Sequence, residues 1–216
     1  MNIKRRGLML VLSSPSGAGK TSIAHALLKQ DSHLKNSVSA TTRPKRPLET
    51  HGKDYLFIST DEFKEMRDND AFLEHAEVFG NFYGSPKEFV FEKLEEGLDV
   101  IFDIDWQGTQ QIAQIAPNDL VTVFILPPSF SILHERLKLR AQDDEETITK
   151  RMSEARSEMS HWPEYDYVII NDDFEKSVFQ VNAILNAERA KRKRQIGLSE
   201  FFTEFRHQIQ ESFIDV

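Results

Sequence analysis

The sequence predicts an α/β fold, a parallel central sheet covered by helices on both faces, and three observations predict it. Predominantly apolar runs stand at Leu8 to Leu12, Asp99 to Ile104, Leu120 to Leu126 and Tyr167 to Ile170, as strands buried on both faces require. A segment with helical spacing follows each run. Prolines punctuate the exchange, at Pro117 and at the pair Pro127-Pro128. A chain that alternates in this way crosses over a parallel sheet, and such sheets bind ligands at the carboxyl ends of their strands.

Taken in order, the first strand leads into a helix over Thr21 to Gln30, with Ile23, Ala26 and Leu27 on one face. From Ser39 to Gly97 the rhythm breaks. Here a short strand at Tyr55 to Ile58, a helix near Asp61 to Arg67, and a helix with Ser85 as N-cap, Pro86 in its first turn and Gly97 beyond its end read as an inserted lobe. The later strands are followed by helices over Gln107 to Ala116, Ser129 to Arg140 and Phe174 to Ala190. Between Arg136 and Trp162 the residues are heavily charged, with a narrow stripe of Ile148, Met152, Ala155 and Met159, the mark of a small flap. The basic run Lys191 to Arg194 suits a solvated helix end, where cations favour the dipole. Phe201, Phe202, Phe205, Ile209 and Phe213 have helical spacing and predict an amphipathic tail helix that packs on the core or on a second copy. The expected division is one domain over 1–216, with a core of 1–38, 97–135 and 163–216, an inserted lobe of 39–96 and a flap of 136–162.

Composition narrows the function. With 216 residues, 39 % of them apolar, the chain can bury one proper core. Its 27 basic and 35 acidic side chains leave a net charge of −8, which argues against nucleic acid or an acidic membrane surface as partner. An anionic ligand then needs a local basic cluster. Absence of cysteine excludes disulfides, thiolate metal sites and a cysteine nucleophile. Seven histidines are scattered without zinc-site spacing. The opening MNIKRRGLMLVL holds too short an apolar run for a signal peptide or a membrane span, so a cytoplasmic location is expected.

Chemistry concentrates first in SSPSGAGKTS, Ser13 to Ser22. It approaches the phosphate-cradling P-loop, G-x-x-x-x-G-K-[ST], lying between a strand and a helix as the motif demands. In such a loop backbone N–H groups surround the phosphates, the following helix presents its positive end, and the lysine adds a point charge. Gly17, Gly19, Lys20 and Thr21 are in place, but Ser14 stands where the first glycine should be. Serine is acceptable there if the position has negative φ.

Further stretches join this loop: SVSATTRPKRP at 37–47, HGKDYLFI at 51–58, GNFYGS at 80–85, DIDWQG at 103–108, RLKLRAQDDEETITKRM at 136–152 and VIINDD at 168–173. Together, and in this order, they resemble the guanylate kinases over nearly the whole chain. The resemblance implies a P-loop NTPase-type three-layer fold with a GMP-binding lobe and a small lid inserted in it. It implies transfer of the γ-phosphoryl of ATP to GMP, and to dGMP, with Mg²⁺ as cofactor, in a monomer or homodimer that takes small nucleotides and neither nucleic acid nor membrane.

Residue by residue, the resemblance gives ATP to Ser14, Pro15, Ser16, Gly17, Ala18, Gly19, Lys20, Thr21 and Ser22, with Asn171 as the adenine contact. Arg43 and Arg46 present planar forks suited to a phosphate; the resemblance assigns them to GMP, with the phenols of Tyr55 and Tyr83. Guanine offers two adjacent donors, and one carboxylate supplies two adjacent acceptors. By resemblance that carboxylate is Glu74, with Ser39 and Ser85 at the same edge. Asp103 and Asp105, two apart on a strand, are expected to leave one face near its carboxyl end. The family reading puts Asp103 by the magnesium ion, which Thr21 ligates directly, and turns Asp105 toward GMP. Lys20, Arg43 and the lid arginines Arg136, Arg140 and Arg151 form the catalytic set. Ala141 departs from the family, which commonly has glycine there.

Two rivals share parts of this pattern. A non-catalytic guanylate-kinase-like binding module generally has a degraded P-loop, whereas Lys20 and Thr21 are intact here. A ribose bisphosphate kinase would share the loop but lack Glu74 together with Tyr55 and Tyr83.

Overall fold

The computed structural model describes residues 3–78, 80–140 and 145–214, with backbone alone for 139–140, 145–150 and 211–214. In chain order its strands are β1 (Met9–Ser13), β2 (Leu34–Asn36), β3 (Ala40–Thr41), β4 (Leu56–Phe57), β5 (Phe72–Val78), β6 (Asn81–Pro86), β7 (Asp99–Asp103), β8 (Leu120–Leu126) and β9 (Tyr167–Ile170). Its α-helices are α1 (Lys20–Gln30), α2 (Thr60–Asp68), α3 (Lys87–Glu95), α4 (Trp106–Ile115), α5 (Phe130–Arg140), α6 (Glu145–Met159), α7 (Phe174–Ala190) and α8 (Leu198–Ile214).

Every residue of β1 is buried, and the strand's alternation explains the layers. Leu8, Leu10 and Leu12 meet Ile23, Ala24 and Leu27 of α1 and Val178, Val181 and Leu185 of α7 on one face. Met9 and Val11 meet Val90 and Leu94 of α3 and Ile112 of α4 on the other. A strand apolar on both faces has nowhere to lie but between two helical layers. It sits at the centre of a five-stranded sheet of order β2-β7-β1-β8-β9, with all pairings parallel. The chain leaves β1 for β2 on one side and later crosses from β7 to β8 on the other. The loop after β1 therefore opens at the switch point where such sheets place ligands.

A second sheet, of order β4-β3-β6-β5, is antiparallel except for the pair β3 and β4. Its core is small: Ala40, Phe63 of α2 and Phe72, with Leu56, Ile58, Met66 and Phe82 packed around them. The Phe63 ring stacks on Phe72 and Phe82 at 4.6 and 5.3 Å. The helices of the expected flap, α5 and α6, meet through Leu133, Leu137, Met152 and Ala155.

Four local expectations are corrected. Ser85 does not cap α3, because β6 continues through Pro86, which is the N-cap, and holds Ser85 buried opposite Glu74. Asp105 is not on a strand: β7 ends at Asp103, and the Asp105 carboxylate caps α4 by accepting the Gly108 N–H at 3.0 Å. The run Lys191 to Arg194 is not wholly solvated. Arg6 N–H donates to the Arg194 carbonyl at 2.8 Å, which draws that turn against the sheet and leaves Arg194 2 % exposed. Finally, of the two seats expected for the apolar stripe of α8, the core is not the one it takes for Phe202, Phe205 and Ile209, which stay 50, 47 and 42 % exposed in the single chain; the other, a second copy, stands as an expectation. Among the described residues no helix is long and apolar enough to cross a membrane.

Candidate active site

The loop between β1 and α1 owes its shape to two left-handed glycines, Gly17 at φ 89° and Gly19 at φ 103°, a conformation L side chains resist. A Cβ on Gly19 would lie 2.5 Å from Asn171 Nδ2, so Gly19 is required by contact as well. Among the described residues the only non-glycine with positive φ is Asp70. Ser14 thus occupies a backbone that asks for no glycine, and its hydroxyl donates to the Pro15 carbonyl at 3.0 Å. The loop is closed from behind by Asn171, whose Nδ2 donates to the Ala18 carbonyl at 2.7 Å. Asn171 Oδ1 is buried with no partner among the described residues, an acceptor left for a donor.

Around this loop lies a cavity of about 650 Å³, walled by Ser14, Pro15, Ser16, Gly17, Gly19, Lys20, Thr21, Ser22, Asp103, Asp105, Arg136, Glu158, Asn171 and Phe174. Ala18 is fully buried beneath it. Lys20 Nζ lies 2.8 Å from Asp103 Oδ1 and donates to the Ile104 carbonyl at 2.9 Å, while Thr21 Oγ1 donates to Asp103 Oδ2 at 2.6 Å. A hydroxyl and a carboxylate oxygen are the hard donors that Mg²⁺ takes. Among the described residues no three acidic, histidine or cysteine side chains converge on one point.

Arg136 of α5 donates to the carbonyls of Ala18 at 3.4 Å and Asn171 at 3.2 Å. Arg151 lies half-buried on α6 and is not among the described residues that line the cavity. Arg140 ends α5, its side chain outside the described residues, as is Ala141. Glu158, at the end of α6, is a wall residue that sequence reasoning missed. Its Oε2 accepts the Ser16 N–H at 3.2 Å. Burial, with Asp105 and Glu154 nearby, pushes its carboxyl up, against the pull of Ser16 N–H and Lys20.

Asp103 also walls a second cavity, of about 240 Å³, with Ser37, Ser39, Asp54 and Tyr55 among its lining. Past it, Glu74 of β5 and Ser85 of β6 are direct cross-strand neighbours. Ser85 Oγ donates to Glu74 Oε1 at 2.6 Å and lies 3.4 Å from Ser39 Oγ. Glu74 is buried, and desolvation raises its carboxyl above the ordinary range, with Asp105 adding to the rise and Ser85 opposing it. Gly108, in the first turn of α4, lies against it: a Cβ there would stand 3.4 Å from Glu74 Oε2 and 3.2 Å from Ile104 Cδ1.

Arg43 holds Glu49 in a two-pronged pair, Nη2 to Oε1 at 2.7 Å and Nη1 to Oε2 at 3.1 Å, which raises the guanidinium pKa. Its head lies 5.4 Å from the centre of the Tyr55 ring, which meets Tyr83 edge-on at 6.0 Å. Arg46 is exposed, its N–H donating to the same Glu49 at 2.8 Å. Glu49 was a further residue unseen in the sequence.

Comparison with known proteins matches this architecture. The family model described as guanylate kinase matches residues 6–188. A guanylate kinase of Paramagnetospirillum magneticum is 59 % identical over 204 residues, 94 % of this chain and 95 % of the relative, and one of Maricaulis maris is 57 % identical over 92 % and 91 %. The crystal structure of guanylate kinase from Anaplasma phagocytophilum superposes with a TM-score of 0.72 at 39 % identity, covering 92 % of this chain and 94 % of that one. With a cradle, a shared aspartate and full-length relatives in agreement, the chain belongs to the guanylate kinase family.

Proposed function

We propose that this chain transfers the γ-phosphoryl group of ATP to GMP, and to dGMP, giving ADP and the diphosphate. One observation carries the reading: Asp103 forms a wall common to the P-loop cavity and to the cavity of Ser39 and Tyr55. Donor and acceptor would thus meet across one carboxylate.

On this reading the N–H groups of the loop, of which Pro15 has none, and the start of α1 cradle the ATP phosphates, and Lys20 supplies a positive point charge to the group in transit. The orphaned Asn171 Oδ1 accepts from the adenine amino group. On the acceptor side the lobe of 39–96 binds GMP. Glu74 takes the two guanine donors with Ser39 and Ser85 holding its edge, and Arg43, Arg46, Tyr55 and Tyr83 take the phosphate. Asp105 turns toward the same nucleotide. Adenine lacks both donors that Glu74 needs, so AMP would leave a buried carboxylate unmatched. Mg²⁺ would be held by the Thr21 hydroxyl and, through water, by Asp103; when bound it neutralises phosphate charge. The acceptor oxygen is already largely ionised, the second phosphate pKa being about 6, so no base is needed. Alignment and charge do the rest, with Arg136, Arg140 and Arg151 of the lid, 136–162, closing on the phosphates. The proposed setting is the cytoplasm, as monomer or homodimer.

The test is a coupled ADP-release assay with ATP and Mg²⁺, comparing GMP with AMP. Turnover is expected with GMP alone, and Lys20→Ala should lower kcat about 10³-fold while leaving the circular dichroism spectrum intact. Equal rates with AMP, or near-native turnover of Lys20→Ala, would overturn the reading.

A further inference from the structure

Three carboxylates wall the P-loop cavity: Asp103, Asp105 and Glu158. The first two have parts in the reading above, and Glu158 has none. A carboxylate without a task is out of place in a cavity that would take a polyphosphate, because like charges repel. Its own contact supplies the task. Glu158 Oε2 accepts the Ser16 N–H at 3.2 Å, as a phosphate oxygen would, and the Lys20 charge draws it the same way. An anion belonging to the chain thus sits on one of the loop's own donors.

The helices around the loop deliver that carboxylate. Each of three consecutive loop residues meets α5 or α6: Ser16 meets Glu158, a Cβ on Gly17 would stand 3.1 Å from Leu133 Cδ1 and from Leu137 Cδ2, and the Ala18 carbonyl accepts from Arg136 at 3.4 Å. Leu133 and Leu137 in turn pack on Met152 and Ala155 of α6, so loop and helix pair form one packed unit. Just past Glu158 the chain is tied to α4. There the His161 ring stacks on Trp106 at 3.7 Å, and Gln110 donates to Glu164 at 2.8 Å. Release of Ser16 therefore needs only rotation of the Glu158 side chain. We propose that Glu158 is a stand-in for phosphate: it occupies the Ser16 N–H in the unliganded chain, is displaced by the polyphosphate of ATP, and so sets the affinity for the donor. The inference rests on the reading of this loop as the ATP site.

Isothermal titration calorimetry of the full chain tests this with inorganic tripolyphosphate, with the ATP analogue whose β–γ bridging oxygen is replaced by NH, both in the presence of Mg²⁺, and with GMP. Glu158→Ala removes charge and acceptor together. It should bind tripolyphosphate and the analogue about fivefold more tightly, the scale of one hydrogen bond regained and one like charge removed. The isosteric Glu158→Gln keeps an acceptor for Ser16 and loses only the charge, so its gain should be about twofold. GMP, placed across Asp103, should bind the native chain and both variants alike. An unchanged or weaker affinity of Glu158→Ala for both phosphate probes would overturn the proposal, the weaker one making Glu158 a support of the cradle. An equal gain for GMP would overturn it too, as a general effect of lost charge. Failure of the ATP reading looks different: the analogue would not bind the native chain, while the variants would keep their gain with tripolyphosphate.

Discussion

The loop after β1 holds its shape through main-chain conformation, whereas the acceptor-side pocket is built of side chains paired with one another. In the loop, Gly17 and Gly19 set the turn and Asn171 pins the Ala18 carbonyl, so the main-chain frame stands whether or not a phosphate is present, with the Ser16 N–H held meanwhile by Glu158. Across Asp103, Arg43 is held by Glu49, and Glu74 by Ser85. The cores beneath differ as well. β1 lies between two full helical layers, while the second sheet rests on a small cluster around Phe63. A backbone site is rigid and indifferent to which anion it holds. A side-chain site selects, but its partners must exchange when ligand arrives.

The strongest way to break this contrast is Glu74→Gln, which keeps one acceptor of two. It should lower kcat/KM for GMP about 10²-fold and leave KM for ATP unchanged. In the native chain kcat/KM for GMP should fall on acidification through two breaks, that of the GMP phosphate at about 6 and that of Glu74 above the ordinary glutamate range, because burial raises this carboxyl; in the variant only the phosphate break should remain. Stability has the opposite sign. The folded chain holds this proton more tightly than the unfolded chain, so the carboxyl's contribution is fullest below the ordinary glutamate pKa and declines as pH rises through the raised value. Glu74→Gln should accordingly melt no lower than the native chain at pH 7. A lower melting point would mean the ionised carboxylate is structurally required.

A smaller effect sharpens the partner exchange. If Glu49 competes with the GMP phosphate for Arg43, Glu49→Gln should lower KM for GMP about threefold with kcat unchanged. A rise of similar size in steady-state kinetics would show that Glu49 aims the guanidinium instead. The smallest effect belongs to the backbone site. Ser14→Gly, at a position with negative φ, should change kcat/KM less than about twofold and lower Tm about 2 °C, through greater freedom of the unfolded chain. A large gain in activity would mean the serine impairs the cradle.

Legibility in the sequence follows the same division. The strands and the P-loop were readable because burial on two faces and left-handed glycines leave marks in local pattern. The Ser14 question could be framed from sequence but needed a dihedral angle to answer. Glu158 carried no local signal, because its partner Ser16 is 142 positions away. Ser85 has the look of a helix cap, being followed by proline, and only the register of β5 with β6 reveals that its hydroxyl serves Glu74. Arg194 sits in a run of charges that ordinarily faces water, and one main-chain hydrogen bond from Arg6 reverses that expectation. The flap stripe was only partly visible, since Met152 and Ala155 join Leu133 and Leu137 while the Ile148 side chain lies outside the described residues.

The placement of β1 has a consequence for how the protein is made. Its register partners are far along the chain: Met9 lies beside Val100 on one side and Leu120 on the other. At synthesis rates of about 5–20 residues per second, the strand emerges about 5–20 s before both neighbours exist. During that interval one of the most apolar segments of the chain has no slot to fill, and the loop it supports has no aspartate opposite it. Parallel pairings of this span are slow to close. A strand translated well before both of its partners is therefore late to become functional, and β1 is where a nascent chain would most need shelter from its neighbours.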